Sequence, residues 1–239
     1  MNDKNSNGKV LYEGLSPINN KKYAVIVTGL NAQTSNKKTG NMYQTWILNQ
    51  DIKPNEAFKN KEYGETVCGN CPHSGWNQNS CYVKWFHAPL NVWKAYKNNR
   101  YDYFNNDYEL FRNKSIRFGS AGDPVLIPID IVKNIIKVAK NHTGYTHMWR
   151  NDFALPYKGL FQASVDSFQE YLQASSLGFN CFLVKHESIN DPKGFIHCPA
   201  SVELGQKTSC NICSLCDGNT GNVVINAHGN TKNNVLLTA

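Results

Sequence analysis

The sequence of 239 residues contains no apolar run that approaches the length of a membrane span, and it shows no internal repeat and no long linker. Its first ten residues, MNDKNSNGKV, include no apolar stretch of the kind that secretory leaders carry. We therefore expect a cytoplasmic protein without a membrane partner. A length of this order suits one large domain or two small ones.

Arginine is scarce, because the 25 basic residues include only four arginines, Arg100, Arg112, Arg117 and Arg150. The formal net charge is nevertheless +7, which favours an acidic partner such as nucleic acid. Since no block of lysine or arginine stands out, a solvated lysine-rich surface also explains this charge. Hydrophobic residues make up 41% of the chain and aromatic residues 12%, which indicates a globular protein.

Strand and helix patterns alternate along most of the chain and predict an α/β fold with a parallel sheet. We expect a polar N-terminal segment over residues 1–22 and a single domain over residues 23–239. The predicted strands cover residues 22–30, 42–48, 115–120, 144–149, 160–165, 180–184 and 222–229. The predicted helices cover residues 89–99, with Asn91 as N-cap, 128–141 and 167–178, whereas residues 49–67 show no regular pattern.

Several polar residues follow the predicted strand ends, where parallel α/β folds form their binding sites. Asp166 is either a cofactor or substrate contact or the N-cap of the next helix. The segment HTGYTHMWR supplies five candidate substrate-binding residues: His142, Tyr145, His147, Trp149 and Arg150. Trp149 or Tyr145 suits a stacked base, and Arg150 suits a phosphate or carboxylate. The alternative is an amphipathic strand with its aromatic residues in the core. His228 is a candidate proton donor, metal ligand or ordinary turn histidine.

Eight cysteines in a reducing compartment favour metal ligands over disulfides. Four of them have the spacing C-x11-C-x2-C-x2-C, and we name them the second cysteine set: Cys198, Cys210, Cys213 and Cys216. A C-x2-C-x2-C run is typical of iron–sulfur proteins and favours a [4Fe–4S] cluster, while structural zinc is the alternative. Either metal predicts a closed site in a cysteine-rich loop near the C-terminus.

Three further cysteines, Cys68, Cys71 and Cys81, have the spacing C-x2-C-x9-C, and we name them the first cysteine set. Three thiolates leave a tetrahedral site one ligand short. His73 or His87 would complete a structural zinc site. Alternatively, the three thiolates hold three irons of a [4Fe–4S] cluster, and the fourth iron keeps a position open for a small molecule, as catalysis at a metal requires.

This arrangement resembles the radical S-adenosylmethionine (radical SAM) enzymes, in which three cysteines after the first strand of a partial (β/α) barrel bind a [4Fe–4S] cluster. Tyr82 follows Cys81, and an aromatic residue is common at that place in the family, although the family's usual spacing is C-x3-C-x2-C. The cysteines of the second set are similar to the auxiliary clusters of many members. The segment FQASVDSFQEYLQASSLGFNCFLV resembles a later strand–helix–strand unit of the same barrel.

The segment IRFGSAGDPVLIP is similar to the family's second strand and its Gly-Gly-Glu-Pro type motif. The resemblance implies that Asp123 accepts a hydrogen bond from the ammonium group of S-adenosylmethionine. It also implies that Gly119 and Gly122 let the backbone approach the cofactor closely, since a Cβ there would intrude. Gly-Asp-Pro is equally an ordinary turn after a strand.

The resemblance therefore implies a partial parallel (β/α) barrel that holds one or two [4Fe–4S] clusters and S-adenosylmethionine. Its substrate would be unknown, with nucleic acid or a nucleotide as candidates. The chain is also similar to uncharacterised proteins of phages and mobile elements. The alternative function is a zinc-binding, nucleic-acid-binding protein of a phage or mobile element, in which both cysteine sets are structural.

Overall fold

The computed structural model describes residues 6–32 and 36–228, which form eleven strands and six α-helices. The strands are β1 (Gly8–Leu15), β2 (Lys22–Thr28), β3 (Met42–Asn49), β4 (Asp102–Tyr103), β5 (Ser115–Ala121), β6 (Asn141–Thr143), β7 (Tyr145–Thr146), β8 (Gln162–Val165), β9 (Cys181–Lys185), β10 (Phe195–His197) and β11 (Asn222–Asn226). The α-helices are α1 (Pro54–Ala57), α2 (Lys61–Cys68), α3 (Ala88–Lys97), α4 (Ile129–Val138), α5 (Phe168–Ser176) and α6 (Cys210–Cys213). Three 3-10 helices cover Tyr108–Phe111, Pro124–Leu126 and Asp152–Tyr157.

The strands form two sheets, and parallel pairing dominates the second half of the chain. The first sheet has the order β4-β1-β2-β3-β5-β6, in which β1, β2 and β3 are antiparallel neighbours and β5 and β6 continue parallel to β3. The second sheet has the order β10-β11-β9-β8-β7, and all of its pairs are parallel. The sequence-based prediction of an α/β fold is thereby confirmed, with strand pairing that is mainly parallel but mixed, because β1, β2 and β3 pair antiparallel.

Gly144 joins the two sheets, because it separates β6 of the first sheet from β7 of the second. Its N–H donates to the carbonyl of Cys216 at 3.1 Å. A Cβ at this position would lie 2.4 Å from the ring of Phe161. The close approach of the Phe161 ring explains why a glycine occupies the junction.

The two faces of the parallel strands have different neighbours. On the outer face, Phe118 of β5 lies in one apolar cluster with Ile135 of α4, and Val165 of β8 lies in another with Ala174 of α5. The intervening positions, which point to the inner face, line a cavity of about 340 Å³: Arg117, Gly119 and Ala121 of β5, Thr143 of β6, Tyr145 of β7, Ser164 of β8, Phe182 and Val184 of β9, and Val223 and Ile225 of β11.

The N-terminal region differs from the sequence-based expectation of a polar, irregular segment over residues 1–22. Gly8–Leu15 form β1, which pairs with β2 along its length and buries Val10. Antiparallel pairing with an already apolar neighbour stabilises a strand that is itself only partly apolar. Residues 1–5 lie outside the described part of the chain, as do residues 229–239 at the predicted end of the domain.

Other boundaries differ for local reasons. Helix α3 begins after His87, so Asn91 lies inside it and is not its N-cap. The strand predicted over residues 144–149 ends at Thr146, because the following backbone N–H groups bond to a side chain instead of a neighbouring strand. The region without a regular pattern, 49–67, contains α1 and most of α2. Among the described residues, no helix combines the length and apolar character that crossing a membrane requires.

Gly122, directly after β5, lies so close to β3 that a side chain has no room. Its φ is 77°, and an added Cβ would lie 2.4 Å from the carbonyl oxygen of Ile47. Gly159 has a similar φ of 74°, but an added Cβ there would have no neighbour within 4 Å. We expect Gly159→Ala to lower the free energy of unfolding by about 1 kcal/mol through backbone strain alone. Gly122→Ala should lower it by about 3 kcal/mol, since the strand must also move.

Urea unfolding of the two variants measures this difference. Equal losses of stability in both variants would contradict a steric requirement for glycine at position 122.

Candidate metal and cofactor site

Both cysteine sets face the same cavity, although more than a hundred residues separate them in the sequence. The predicted site residues that line it are Cys68, Cys71, Cys81, Gly119, Gly122, Asp123, His147, Cys198, Cys210, Cys213, Cys216 and His228. The cavity is also lined by Tyr145, a predicted candidate for stacking on a base, and by Arg117 and Tyr82, which the sequence analysis did not assign to a site. The parallel strands thus bring two distant thiol-rich segments to one enclosed space.

The first cysteine set lies at the end of α2 and in the loop that follows. Cys68 is the last residue of α2, and Gly69 ends the helix with a φ of 55°. The N–H of Cys81 donates to the carbonyl of His73 at 2.9 Å, which folds the loop back. Burial raises the pKa of Cys71, and the neighbouring thiols of Cys68 and Cys81 raise it further. These three thiols therefore stay protonated unless a cation compensates their charge.

The second cysteine set combines a strand end with a short helix. The N–H of Cys198, after β10, donates to the carbonyl of Val224 at 2.8 Å, and α6 spans Cys210–Cys213. Burial raises the pKa of Cys216, and the other three thiols of the set raise it as well. All four thiols of this set thus lie close enough to interact electrostatically.

The sulfur atoms of neither cysteine set are gathered around a single point. Four thiolates around one zinc ion at about 2.3 Å lie about 3.8 Å apart. Among the described residues, neither cysteine set has three ligand atoms within 4.8 Å of one another. The thiols of each set would therefore have to move closer together to coordinate one zinc ion.

Two cations favour the ionised form of the second cysteine set. Burial raises the pKa of Cys210, whereas the nearby charges of Arg117 and Lys38 lower it. Arg117 projects from β5 into the cavity and donates from Nη2 to the hydroxyl of Tyr82 at 2.7 Å. The signals that could have identified Arg117 were the scarcity of arginine and its place at an inner-face position of β5.

Asp123 connects three elements around the cavity. Its N–H donates to the carbonyl of Val67 at 2.7 Å, next to Cys68. Its Oδ1 accepts the N–H of Val125 at 3.2 Å, and its Oδ2 accepts the N–H groups of His147 at 2.8 Å and Met148 at 3.2 Å. Burial raises the pKa of Asp123 to about 6, although these hydrogen bonds oppose the shift. Asp123 therefore holds the start of the first cysteine set against the end of β7.

Two histidines and a carboxylate meet beside the first cysteine set. His73 contacts Ser80 Oγ through Nδ1 at 2.6 Å and Asp166 Oδ1 through Nε2 at 2.7 Å. The Nε2 atom of His147 lies 3.8 Å from Asp166 Oδ2. Burial lowers the pKa of His147 to about 4, so its ring is neutral at pH 7. The N-cap of α5 is Ser167, so Asp166 contacts His73 instead of capping the helix.

Three predicted contact residues lie away from this space. Trp149 is 1% exposed, and its ring N–H donates to the carbonyl of Ser164 at 3.0 Å within the apolar cluster under α5. Arg150 is exposed, lies 3.8 Å from the centre of the Trp149 ring and pairs with Glu170 at 2.8 Å. His87 precedes α3, and its ring packs against Phe86. His228, by contrast, lines the cavity and stacks on Tyr82.

Comparison with models of protein families, with curated protein sequences and with solved structures finds no match for this chain.

Replacing Arg117 tests its effect on the second cysteine set. We expect Arg117→Gln to speed the transfer of bound metal to a chelator about tenfold, because the thiolates lose a compensating charge. Release is followed by absorbance of the chelator complex. Arg150→Gln is the matched control, since it removes an exposed arginine outside the cavity and should leave the rate unchanged. Equal rates in both variants would contradict this role.

Proposed function

We propose that this chain is an enzyme of the radical SAM type. In this proposal, the first cysteine set holds a [4Fe–4S] cluster with one open iron. The second cysteine set holds a further cluster, and S-adenosylmethionine binds between them in the cavity. One observation carries the proposal: a three-thiol set and a four-thiol set face the same enclosed space on the inner side of parallel strands.

The number of protein ligands available at the first cysteine set supports an open coordination position on a bound cluster. His73 is the nearest histidine in the sequence, and its ring nitrogens are directed at Ser80 and Asp166 instead of at the sulfur atoms. His87 does not line the cavity. Among the described residues, no nitrogen of a histidine and no oxygen of a carboxylate forms a set with two of these sulfurs in which all three atoms lie within 4.8 Å of one another. A site that keeps three protein ligands and one free position is the arrangement that catalysis needs.

The polar atoms of the cavity support a bound molecule. Four buried polar atoms of cavity-lining residues have no hydrogen-bond partner within the described chain: Arg117 Nε, His147 Nε2, Trp85 Nε1 and Ser214 Oγ. Buried polar groups in native proteins are nearly always paired with protein, water or a ligand. A cofactor with amino, carboxylate and ribose groups would supply such partners.

The arrangement of the strands supports a partial barrel around this space. Neighbouring parallel strands each contribute inward-facing residues to the lining of the cavity. These strands are β5, β6 with β7, β8, β9 and β11. A flat sheet would spread these residues over an open surface, whereas a curved sheet encloses them. The loops after β3 and β5 carry the first cysteine set and Asp123, at the end where parallel folds bind ligands.

When bound, the cluster on the first cysteine set would supply the electron that cleaves a carbon–sulfur bond of S-adenosylmethionine, so that a hydrogen atom is taken from the substrate. The chain's own residues position and shield this chemistry. Gly119 and Gly122 let the end of β5 pack closely against Pro124 and Ile47, and Asp123 fixes that loop to Val67 and His147. Arg117 gives the cavity a positive charge that suits an anionic substrate group such as a phosphate.

Anaerobic purification followed by iron, sulfide and zinc analysis tests the proposal. We expect about eight iron and eight sulfide per chain for two [4Fe–4S] clusters. Substituting Cys68, Cys71 and Cys81 by alanine should halve the iron content and abolish reductive cleavage of S-adenosylmethionine. Cys181→Ala is the matched control, because that thiol is buried beside α5 and outside the cavity.

Stoichiometric zinc without sulfide would overturn the proposal. In that case the zinc-bound, nucleic-acid-binding alternative would account for the cysteines and for the net charge of +7.

A further inference from the structure

His73, His147 and Asp166 come from three separate segments and converge beside the first cysteine set. His73 lies in the loop after α2, His147 follows β7, and Asp166 follows β8. One ligand atom from each of them lies within 4.8 Å of the other two. Histidine and carboxylate groups at such distances are a recognised donor set for a divalent cation.

The ring of His73 is held from its far side. Its Nδ1 contacts the hydroxyl of Ser80 at 2.6 Å, and this leaves Nε2 directed at Asp166 Oδ1. Metal-binding imidazoles usually have such a partner on the other ring nitrogen, because it fixes the tautomer and the ring orientation. A cation would replace the proton that His73 and Asp166 share in the hydrogen bond.

The ring of His147 is positioned but unsatisfied. Asp123 accepts its backbone N–H, while its Nε2 atom is buried and has no hydrogen-bond partner within the described chain. The nearest carboxylate oxygen, Asp166 Oδ2, is 3.8 Å away, too far for a hydrogen bond. Leaving such a buried atom unpaired is unfavourable, so an ion or a water is expected beside it.

We propose that His73, His147 and Asp166 bind a single divalent cation of the manganese(II) or iron(II) class. Two imidazoles and one carboxylate leave further positions open for water or substrate, as in mononuclear iron sites of this composition. The donors are nitrogen and oxygen, so their metal preference differs from that of the thiol-rich sets, which select softer ions. Because His73 and His147 line the cavity, the open positions face the same space as the cysteines.

Manganese(II) titration tests this site independently of the proposed function. The full chain, purified anaerobically with its cysteine sites loaded, is titrated with MnCl₂, and free ion is followed by room-temperature electron paramagnetic resonance. Manganese(II) binds thiolates weakly, so the cysteine sets do not compete for it. We expect one bound ion per chain, with nitrogen couplings from histidine in a pulsed experiment.

Asp166→Asn and His147→Gln should each weaken manganese binding at least tenfold. His186→Gln is the matched control, because His186 is only partly buried, does not line the cavity, and contacts Ser188 through its ring Nδ1. Circular dichroism and unchanged iron and sulfide content show that a variant has folded, and the two variants serve as checks on each other. If both variants fail to fold, the manganese titration of the wild-type chain decides whether the site exists.

No bound manganese in the wild-type chain would overturn the proposal. Binding that is unchanged in both variants, or that lacks nitrogen couplings, would overturn it as well. In those cases the three side chains form only a hydrogen-bonded link between the loop after α2 and β8.

Discussion

Seven thiols surround one buried cavity, and their shared requirement for a compensating cation constrains the rest of the site. A buried thiolate is costly by itself, and each thiolate raises the pKa of its neighbours. Within the second cysteine set this repulsion is partly offset by Arg117 and Lys38. In the first cysteine set, burial raises the pKa of Cys68, and the nearby Cys81 and Asp123 raise it further. No cation is among these causes to offset the shift. In the proposed enzyme, that set would depend most on a bound cluster.

The hydrogen bonds around this group join elements that would otherwise move independently. Asp123 bonds to Val67 at the end of α2 and to the backbone after β7. His73 bonds to Asp166 after β8, so the loop of the first cysteine set is attached to three successive strand ends. Metal binding and local folding are coupled in such sites, because the ligands hold the loop and the loop orients the ligands. Loss of the bound group should therefore loosen this whole end of the protein.

Much of the fold could be predicted from the sequence, because period-two and helical apolar patterns report burial directly. The parallel strands β5, β7, β8, β9 and β11 and the helices α4 and α5 follow from those patterns, whereas the short strands β6 and β10 were not predicted. β1 was not predicted, since its residues are only partly apolar and antiparallel pairing with β2 stabilises it. In the site, cysteine spacing identified seven thiols, but spacing alone could not place both sets at one cavity. Nor could it show that Trp149 is a core residue or that Arg117 faces inward.

Diffraction data collected on either side of the iron absorption edge, from crystals grown anaerobically, would show whether both cysteine sets hold iron–sulfur clusters. Two iron-specific anomalous peaks are expected in one cavity. One should lie among Cys68, Cys71 and Cys81, with no fourth protein ligand, and the other among the four thiols of the second cysteine set. Peaks that appear only at the zinc edge, with His73 or His87 completing the first cysteine set, would contradict this expectation.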